Sequence, residues 1–225
     1  MITQTHNPYI FPQNDNRWKE LFDIKRYNKK HWLYTNKEGE VLFGVIRHET
    51  LKDGKPDKSI FQFSYNGKEY VNTNSLKNRP LYKAHLIDSS SIDWLIVEGE
   101  KTCDVAQEMF PDYFVTTWSG GCKNWKNTDW SIVPNNRSIT IWPDADKGGV
   151  LTAVEIAQHL NDKFKIKAKV VDLPNTLPEK WDLADPIPDE VDPLALIRKA
   201  IVPDPKGIWE DIDQDIKEGR WVFIQ

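Results

Sequence analysis

The feature that most restricts the fold is a regular alternation of short apolar runs and helical patterns after residue 92. The runs are rich in aromatic and β-branched residues, as buried strands are, and the intervening segments place apolar residues at helical spacing. In order, the segments read DWLIVEG, KTCDVAQEMF, YFVTTW, SITIW, GGVLTAVEIAQHLND, KAKVVDL and DPLALIRKAI. Short links between strands and helices are typical of a parallel sheet covered by helices. The last helix has Asp192 as its expected cap and Pro193 in its first turn.

A different pattern precedes this region. Residues 31–72 alternate strand-like runs with turn-forming residues, which indicates a small antiparallel sheet. Asn66-Gly67 is a two-residue hairpin signal, because both positions tolerate a positive φ. We therefore predict an α/β protein with three regions: a β-rich basic subdomain over 1–88, a parallel-sheet domain over 89–202, and an acidic tail or linker over 203–225.

Charge and composition narrow the function classes. Residues 1–90 hold 15 Lys and Arg against 10 Asp and Glu, whereas residues 91–225 hold 15 against 24. A basic front region suits an anionic partner, although ordinary solvated faces explain the asymmetry equally well. The chain has no membrane-length apolar run and no signal-peptide pattern, so we expect a cytoplasmic location and no membrane partner. Its two cysteines form no disulfide framework or zinc knuckle.

Two predicted strands end in acidic residues. The first runs into Glu98-Gly99-Glu100, and the third runs through Pro143 into Asp144-Ala145-Asp146. If these strands are neighbours, Glu98, Asp144 and Asp146 meet at one edge of the sheet, where their mutual repulsion calls for a cation. Oxygen ligands without His or Cys favour Mg²⁺, with Mn²⁺ as the alternative. We interpret the glycines nearby as space for a phosphate-bearing ligand: Gly99, Gly120, Gly121, Gly148 and Gly149. The competing interpretation of the two aspartates is a helix N-cap.

These motifs carry a family resemblance. The order VEGEKTCD, TTWSGGCKNWKNTDW and IWPDADKGG resembles the Toprim domain of bacterial-type DNA primases, topoisomerases and some nucleases. In that family a glutamate before a glycine follows the first strand, and a D-x-D follows the third. Gly120, Gly121 and the later WDLAD look most like the primase part of phage and plasmid primase–helicase proteins. The resemblance covers roughly residues 90–200 and is looser over residues 30–85.

The resemblance implies metal-dependent nucleotidyl transfer, with single-stranded DNA as template, nucleoside triphosphates as substrates and a replicative helicase as a further candidate partner. It makes Asp144 and Asp146 metal ligands, and Glu98 a further ligand or, as in nuclease-like relatives, a general acid/base. Asp182 and Asp185 are candidates to complete the site, with a loop cap as the alternative. A Toprim nuclease and a non-catalytic nucleic-acid-binding accessory protein remain the alternative functions.

Several cations are candidates for contacts with nucleotides or nucleic acid. Near the acidic edge, Lys101 and Lys147 could both reach phosphates. The alternative for Lys101 is an ordinary surface lysine, and the alternative for Lys147 is that it balances the charge of the aspartates. Lys123 and Lys126 alternate with Trp125 and Trp130, a mixture that suits single-stranded nucleic acid unless the tryptophans pack beneath their loop. In the basic front region the candidates are Arg47, Lys77, Arg79 and Lys83.

The sequence also lacks parts of a complete replicative primase. It has no C-x-x-C zinc module and no G-x-x-x-x-G-K-[ST] phosphate-binding loop. We therefore expect either a stand-alone Toprim protein or a piece of a longer gene.

Overall fold

The computed structural model describes residues 9–27, 29–72, 76–87 and 92–204. The chain divides into two units: unit 1 is Met1–Ser89 with Asn127–Asp129, and unit 2 is Ser90–Lys126 with Trp130–Gln225. The return of residues 127–129 to unit 1 is a feature that no contiguous division of the sequence contains. The predicted acidic tail lies outside the described residues from position 205 onward.

Unit 1 is built on a four-stranded antiparallel sheet in the order β1-β2-β3-β4. A short helix, α1, precedes it. The elements are α1 (Arg17–Leu21), β1 (Lys30–Thr35), β2 (Val41–Lys52), β3 (Lys55–Tyr65) and β4 (Tyr70–Asn72). Successive strand residues point to opposite faces, so neighbours Val45 and Ile46 enter different clusters of buried side chains. Ile46 packs with Phe63 and Trp18, and Val45 packs with Trp32, Tyr34 and Phe43.

The hairpin prediction at Asn66-Gly67 is wrong in its length. Tyr65 pairs with Tyr70, so the connection has four residues, and the Asn66 side chain accepts hydrogen bonds from the backbone of Lys68 and Glu69. The two-residue turn lies instead at Asp53-Gly54, between the paired Lys52 and Lys55. Both of its residues have positive φ, 53° and 75°, which the twist of a tight hairpin requires.

Unit 2 is built on a parallel sheet in the order β6-β5-β7-β8. Its elements are β5 (Asp93–Val97), α2 (Glu100–Met109), β6 (Tyr113–Thr116), β7 (Ile139–Trp142), α3 (Lys147–Phe164), β8 (Lys169–Val170) and α4 (Pro193–Lys199). The central strands β5 and β7 are buried over nearly their whole length, as a sheet covered on both faces requires. The Asp192 side chain accepts a hydrogen bond from the Ala195 backbone N–H at 3.0 Å, which confirms the predicted cap of α4.

The predicted α/β class is therefore confirmed: a small antiparallel sheet precedes a separate four-stranded parallel sheet flanked by helices. In the described part of the chain, no helix has the length and apolar character needed to cross a membrane.

Candidate nucleotide and metal site

The acidic segments of unit 2 leave the sheet side by side. Strands β5 and β7 are parallel neighbours, and their register places Val97 opposite Trp142. Glu98 therefore follows one strand end while Pro143 and Asp144 follow the adjacent one. The condition on which the predicted site depended, that these two strands pair directly, is met.

Glu98 is followed by a turn that the neighbouring strand fixes. Gly99 has a φ of 84°, a conformation that side-chain-bearing residues rarely adopt, and it caps the start of α2. Its backbone N–H donates to Thr117 Oγ1 at 3.0 Å, so the residue after β6 holds the turn after β5. A β-carbon built at Gly121 would lie 3.7 Å from Glu98 Oε1, which places the glycine loop against this carboxylate.

The glycine loop, residues 118–124, is held by side chains of its own segment. Trp118 is buried, and its Nε1 donates to the Gly121 carbonyl at 3.0 Å. Asn124 Nδ2 donates to the Gly120 carbonyl at 2.8 Å. Gly120 and Gly121 both have positive φ, so the turn itself accounts for these glycines, and their predicted contact with a nucleotide stays a prediction.

Cys122 is a site residue that sequence reasoning missed. Cys122 is exposed as a residue, but partial desolvation raises the pKa of its thiol, and so do the negative charge of Glu98, a hydrogen bond to it and the charge of Asp146. Because Gly121, the preceding residue, lies against Glu98 Oε1, this segment lies beside the acidic edge. Its position directly after Gly120-Gly121 was the sequence feature that could have identified Cys122 as a residue of this site.

The Asp144–Asp146 turn is compact. The Asp146 backbone N–H donates to the Asp144 carbonyl at 2.7 Å, and Asp146 Oδ1 accepts from the Gly149 N–H at 2.7 Å. Asp146 is therefore the N-cap of α3, as the competing interpretation proposed, and capping occupies one of its two carboxylate oxygens. The interpretation of Gly149 as space for a ligand is wrong, because a β-carbon there would lie 2.6 Å from the Asp144 carbonyl oxygen.

Asp182 and Asp185 lie in a turn that packs against this acidic turn. Ala145 donates to the Trp181 carbonyl at 2.9 Å and accepts from the Lys180 N–H at 3.0 Å. Asp182 Oδ1 accepts from the Ala184 N–H at 2.6 Å, and Asp185 Oδ2 accepts from the Asp182 N–H at 3.2 Å. These bonds correspond to the loop-cap alternative, while the backbone pairing brings the turn beside Asp144 and Asp146.

The residues at this edge fit Mg²⁺ by chemistry but are not gathered as ligands. Carboxylate oxygens from Glu98, Asp144 and Asp146 are the donors that Mg²⁺ prefers. Within the described ranges, however, no three His, Cys, Asp or Glu side chains converge closely enough to hold a metal ion. An ion bound here would therefore have to draw the side chains together, so the metal site stays a prediction.

The lysines of unit 2 that were predicted to bind nucleotides or nucleic acid differ in exposure and in their neighbours. Lys147 and Lys101 are half-buried at the starts of α3 and α2, directly after the two acidic turns. Lys123 is exposed in the glycine loop. Lys126 instead approaches Glu155 Oε2 at 3.9 Å and lies 5.2 Å from the Trp125 ring centroid, so its ammonium already has an acidic neighbour on α3.

The prediction that bases stack on Trp125 and Trp130 is wrong for this conformation. Trp125 and Trp130 are only 6% and 2% exposed. Trp125 Nε1 donates to Glu155 Oε2 at 3.1 Å, and Trp130 Nε1 donates to the Trp125 carbonyl at 2.9 Å. Both rings pack beneath their loop, as the alternative interpretation held.

In unit 1, the prediction that Arg79 contacts nucleic acid is wrong. It is 3% exposed, its Nε donates to the Leu76 carbonyl at 2.8 Å, and burial lowers the pKa of its guanidinium. Its backbone bonds Asn127 and Asp129, so Arg79 holds the returning segment instead of presenting a charge to nucleic acid. Arg47 forms an ion pair with Glu49 at 3.1 Å, Lys77 is exposed, and Lys83 lies over the Tyr82 ring; their contacts with nucleic acid stay predictions.

Comparison with known proteins identifies the fold. No family model matches the sequence, and no curated protein matches it. A DNA primase domain from Pseudomonas aeruginosa superposes with a TM-score of 0.51 at 15% identity, over 83% of this chain and 56% of that domain. The fold is of the DNA primase type.

Two further solved structures are similar at lower scores. The primase fragment of the bacteriophage T7 primase-helicase protein has a TM-score of 0.46 at 20% identity, covering 67% of this chain and 60% of that one. The DnaG primase catalytic domain bound to ssDNA has a TM-score of 0.48 at 14% identity, covering 77% and 53%. The chain thus spans little more than half the length of these primase structures.

Proposed function

We propose that this chain is a Toprim-type, metal-dependent nucleotidyltransferase that makes primers on single-stranded DNA. The observation that carries the proposal is that the strands leading into Glu98 and into the Asp144–Asp146 turn are parallel neighbours in a primase-type fold. In open parallel sheets the carboxyl edge of the strands is where ligands bind. The work of a replicative primase implies an intracellular setting and a helicase as a partner.

The proposed roles follow from the positions. Glu98, Asp144 and Asp146 would hold Mg²⁺, or Mn²⁺, which when bound would neutralise the triphosphate and stabilise the attacking and leaving oxygens. Lys101 and Lys147, directly after the two acidic turns, would contact phosphate oxygens. The Asp182–Asp185 turn, bonded to Ala145, would support the backbone of the acidic turn.

Metal binding is tested by thermal melting. Mg²⁺ should raise the melting temperature of the wild type, since a ligand that binds only the folded state stabilises it. The double variant Asp144→Asn/Asp146→Asn should lose this response and be more stable without metal, because two neighbouring like charges are removed. Asparagine caps helices about as well as aspartate, so the start of α3 is retained.

The control is Asp112→Asn, an exposed carboxylate just before β6, at the opposite edge of the sheet. It removes one negative charge and should leave the Mg²⁺ response unchanged. A wild type whose melting does not respond even to high Mg²⁺ concentrations would contradict the metal assignment.

Activity is tested with single-stranded template, labelled nucleoside triphosphates and Mg²⁺ or Mn²⁺. The wild type and Asp112→Asn should produce oligonucleotides, and the double variant should not. No product with any of a broad set of templates would contradict primer synthesis. Metal-dependent cleavage of the template that requires Glu98 but no nucleotide would identify the nuclease alternative.

A further inference from the structure

Unit 1 carries a concentration of cations around one exposed aromatic ring. Residues 25–30 read KRYNKK. Tyr27 is 47% exposed, and the Arg26 guanidinium and the Lys29 ammonium each lie 5.2 Å from its ring centroid. The ring of His48, on β2, lies 5.6 Å from the ring of Tyr27. We call Lys25, Arg26, Tyr27, Lys29 and His48 the Tyr27 patch.

The charge of the Tyr27 patch is not balanced by acids. None of Lys25, Arg26 and Lys29 forms an ion pair with a carboxylate of the described residues. Lys30, next in sequence, is 3.9 Å from Glu49, and that carboxylate is shared with Arg47 at 3.1 Å. The surface therefore keeps a local excess of positive charge, which is complementary to a polyanion.

The patch is also held in place. Lys29 Nζ donates to the Phe22 carbonyl at 2.7 Å, just beyond the end of α1. The Tyr27 backbone N–H donates to the Asp23 carbonyl at 3.3 Å, and His48 is fixed in β2 by its pairing with Ser59. The ring is half-exposed and its backbone is anchored, so a base could stack on it once the exposed Arg26 side chain moves from the ring onto a phosphate.

We propose that the Tyr27 patch binds single-stranded nucleic acid, with one base stacked on Tyr27 and phosphates contacting Lys25 and Arg26. The combination of an aromatic ring with cations that form no ion pair suits a single strand, because its bases are exposed for stacking whereas those of a duplex are already stacked on each other. The proposal rests on the proposed function only for the identity of the strand, which would be the template.

The test is fluorescence anisotropy of a labelled oligothymidylate without metal or nucleotide, measured over a range of salt concentrations. Tyr27→Leu should weaken binding about tenfold, since a base loses its stacking partner, with the salt dependence unchanged. Tyr27→Phe keeps the ring and should bind like the wild type. Arg26→Ala should reduce the slope of log affinity against log salt by about 0.7, as expected for one lost phosphate contact with a single strand.

The matched control is Lys68→Ala, which removes an exposed cation from the β3–β4 turn of the same unit and should change neither quantity. Oligouridylate distinguishes RNA from DNA as the source of the strand, and binding of either supports the proposal. Wild-type affinity in both Tyr27→Leu and Arg26→Ala, or no binding by the wild type, would overturn it. The proposal would also be overturned if the Tyr27 and Arg26 substitutions weakened binding to anionic lipid vesicles and left oligothymidylate binding intact.

This test and the test of the proposed function fail separately. Strand binding is measured without Mg²⁺, so Asp144→Asn/Asp146→Asn should bind the oligonucleotide like the wild type. Loss of primer synthesis in that variant with retained binding would support both proposals. Melting curves of the Tyr27 and Arg26 variants should match the wild type, because both side chains are exposed.

Discussion

Single residues at the acidic edge are chosen for backbone geometry as much as for chemistry. Gly149 is buried, and its missing side chain allows the backbone of Asp144 to lie directly against the first turn of α3. Gly148, one position earlier, is exposed and faces only Asp146 Oδ1, the oxygen that caps α3. Only Gly149 is required by close approach of the backbone, although the two glycines are adjacent in the sequence.

Gly149→Ala should destabilise the protein by about 1–3 kcal/mol, as overpacking against backbone atoms does. The new β-carbon would lie 2.6 Å from the Asp144 carbonyl oxygen and 2.8 Å from its nitrogen, so the acidic turn must move and the Mg²⁺ response should weaken. Gly148→Ala is the comparison: its β-carbon meets only Asp146 Oδ1, at 3.2 Å, so the capping oxygen has to shift slightly and a smaller loss of stability is expected. Urea unfolding measures both variants, and equal effects would contradict this account.

We expect His159 to make the stability of unit 2 depend on pH. Burial first, and then the charge of Lys163, lowers the pKa of its imidazole from the ordinary value of 6.5. The unfolded chain therefore takes up this proton at a higher pH than the folded chain, and stability falls as the pH drops below 6.5.

His159→Gln should show a smaller loss of stability between neutrality and about pH 5 than the wild type. The comparison uses the slope of unfolding free energy against pH, because the substitution also removes ring contacts with Trp125 and Phe164. Parallel slopes in the two proteins would show that His159 does not contribute.

Among the elements, α3 has two tasks. Its first turn is capped by Asp146 of the acidic turn. Glu155, in its middle, accepts a hydrogen bond from Trp125 Nε1 and approaches Lys126, just after the glycine loop. The helix thus connects the D-x-D turn to the segment that follows the glycine loop.

Glu155→Ala should cost about 1–3 kcal/mol of unfolding free energy, since it leaves a buried indole N–H without a partner. Glu155→Gln retains an oxygen acceptor and loses only an exposed ion pair, worth about 0–1 kcal/mol. Chemical denaturation of both variants separates the two contributions. A glutamine variant as unstable as the alanine variant would assign the stability to charge instead of the hydrogen bond.

For the whole molecule, the fold class was predictable because its determinants are local. Buried strands and amphipathic helices are visible as periodic patterns, and the neighbouring positions of Glu98 and the aspartate turn follow from strand order. What the sequence concealed depends on distant partners. The buried Trp125 bonds Glu155, 30 positions along the chain, and the backbone of the buried Arg79 bonds Asn127 and Asp129. Asp53-Gly54 and Asn66-Gly67 carry the same turn signal, and only strand pairing decides between them.

The segment Asn127–Asp129 contains a buried hydroxyl without a hydrogen-bond partner among the described residues, and its effect on stability can be tested. Thr128 is 7% exposed, and its Oγ1 has no hydrogen-bond partner among the described residues. Thr128→Val should raise the unfolding free energy by about 1 kcal/mol, since it removes an unsatisfied buried hydroxyl at nearly constant shape.

The matched substitution is Thr35→Val. This threonine is 6% exposed, and its Oγ1 is 2.8 Å from His85 Nδ1, so the same change should cost about 1 kcal/mol. Opposite signs in thermal or urea unfolding are the expected result. A loss of stability in Thr128→Val as large as in Thr35→Val would contradict it.

The membership of Asn127–Asp129 in unit 1 has a consequence for anyone dividing the gene. A cut near residue 90 yields an amino-terminal fragment deprived of the tripeptide that bonds the backbone of Arg79, and a carboxyl-terminal fragment with that tripeptide stranded. Neither half could be exchanged for that of another protein as a contiguous cassette. Because residues 90–126 belong to unit 2, whose strand β5 pairs with β7, recombination that keeps Asn127–Asp129 with unit 1 would have to transfer both units together.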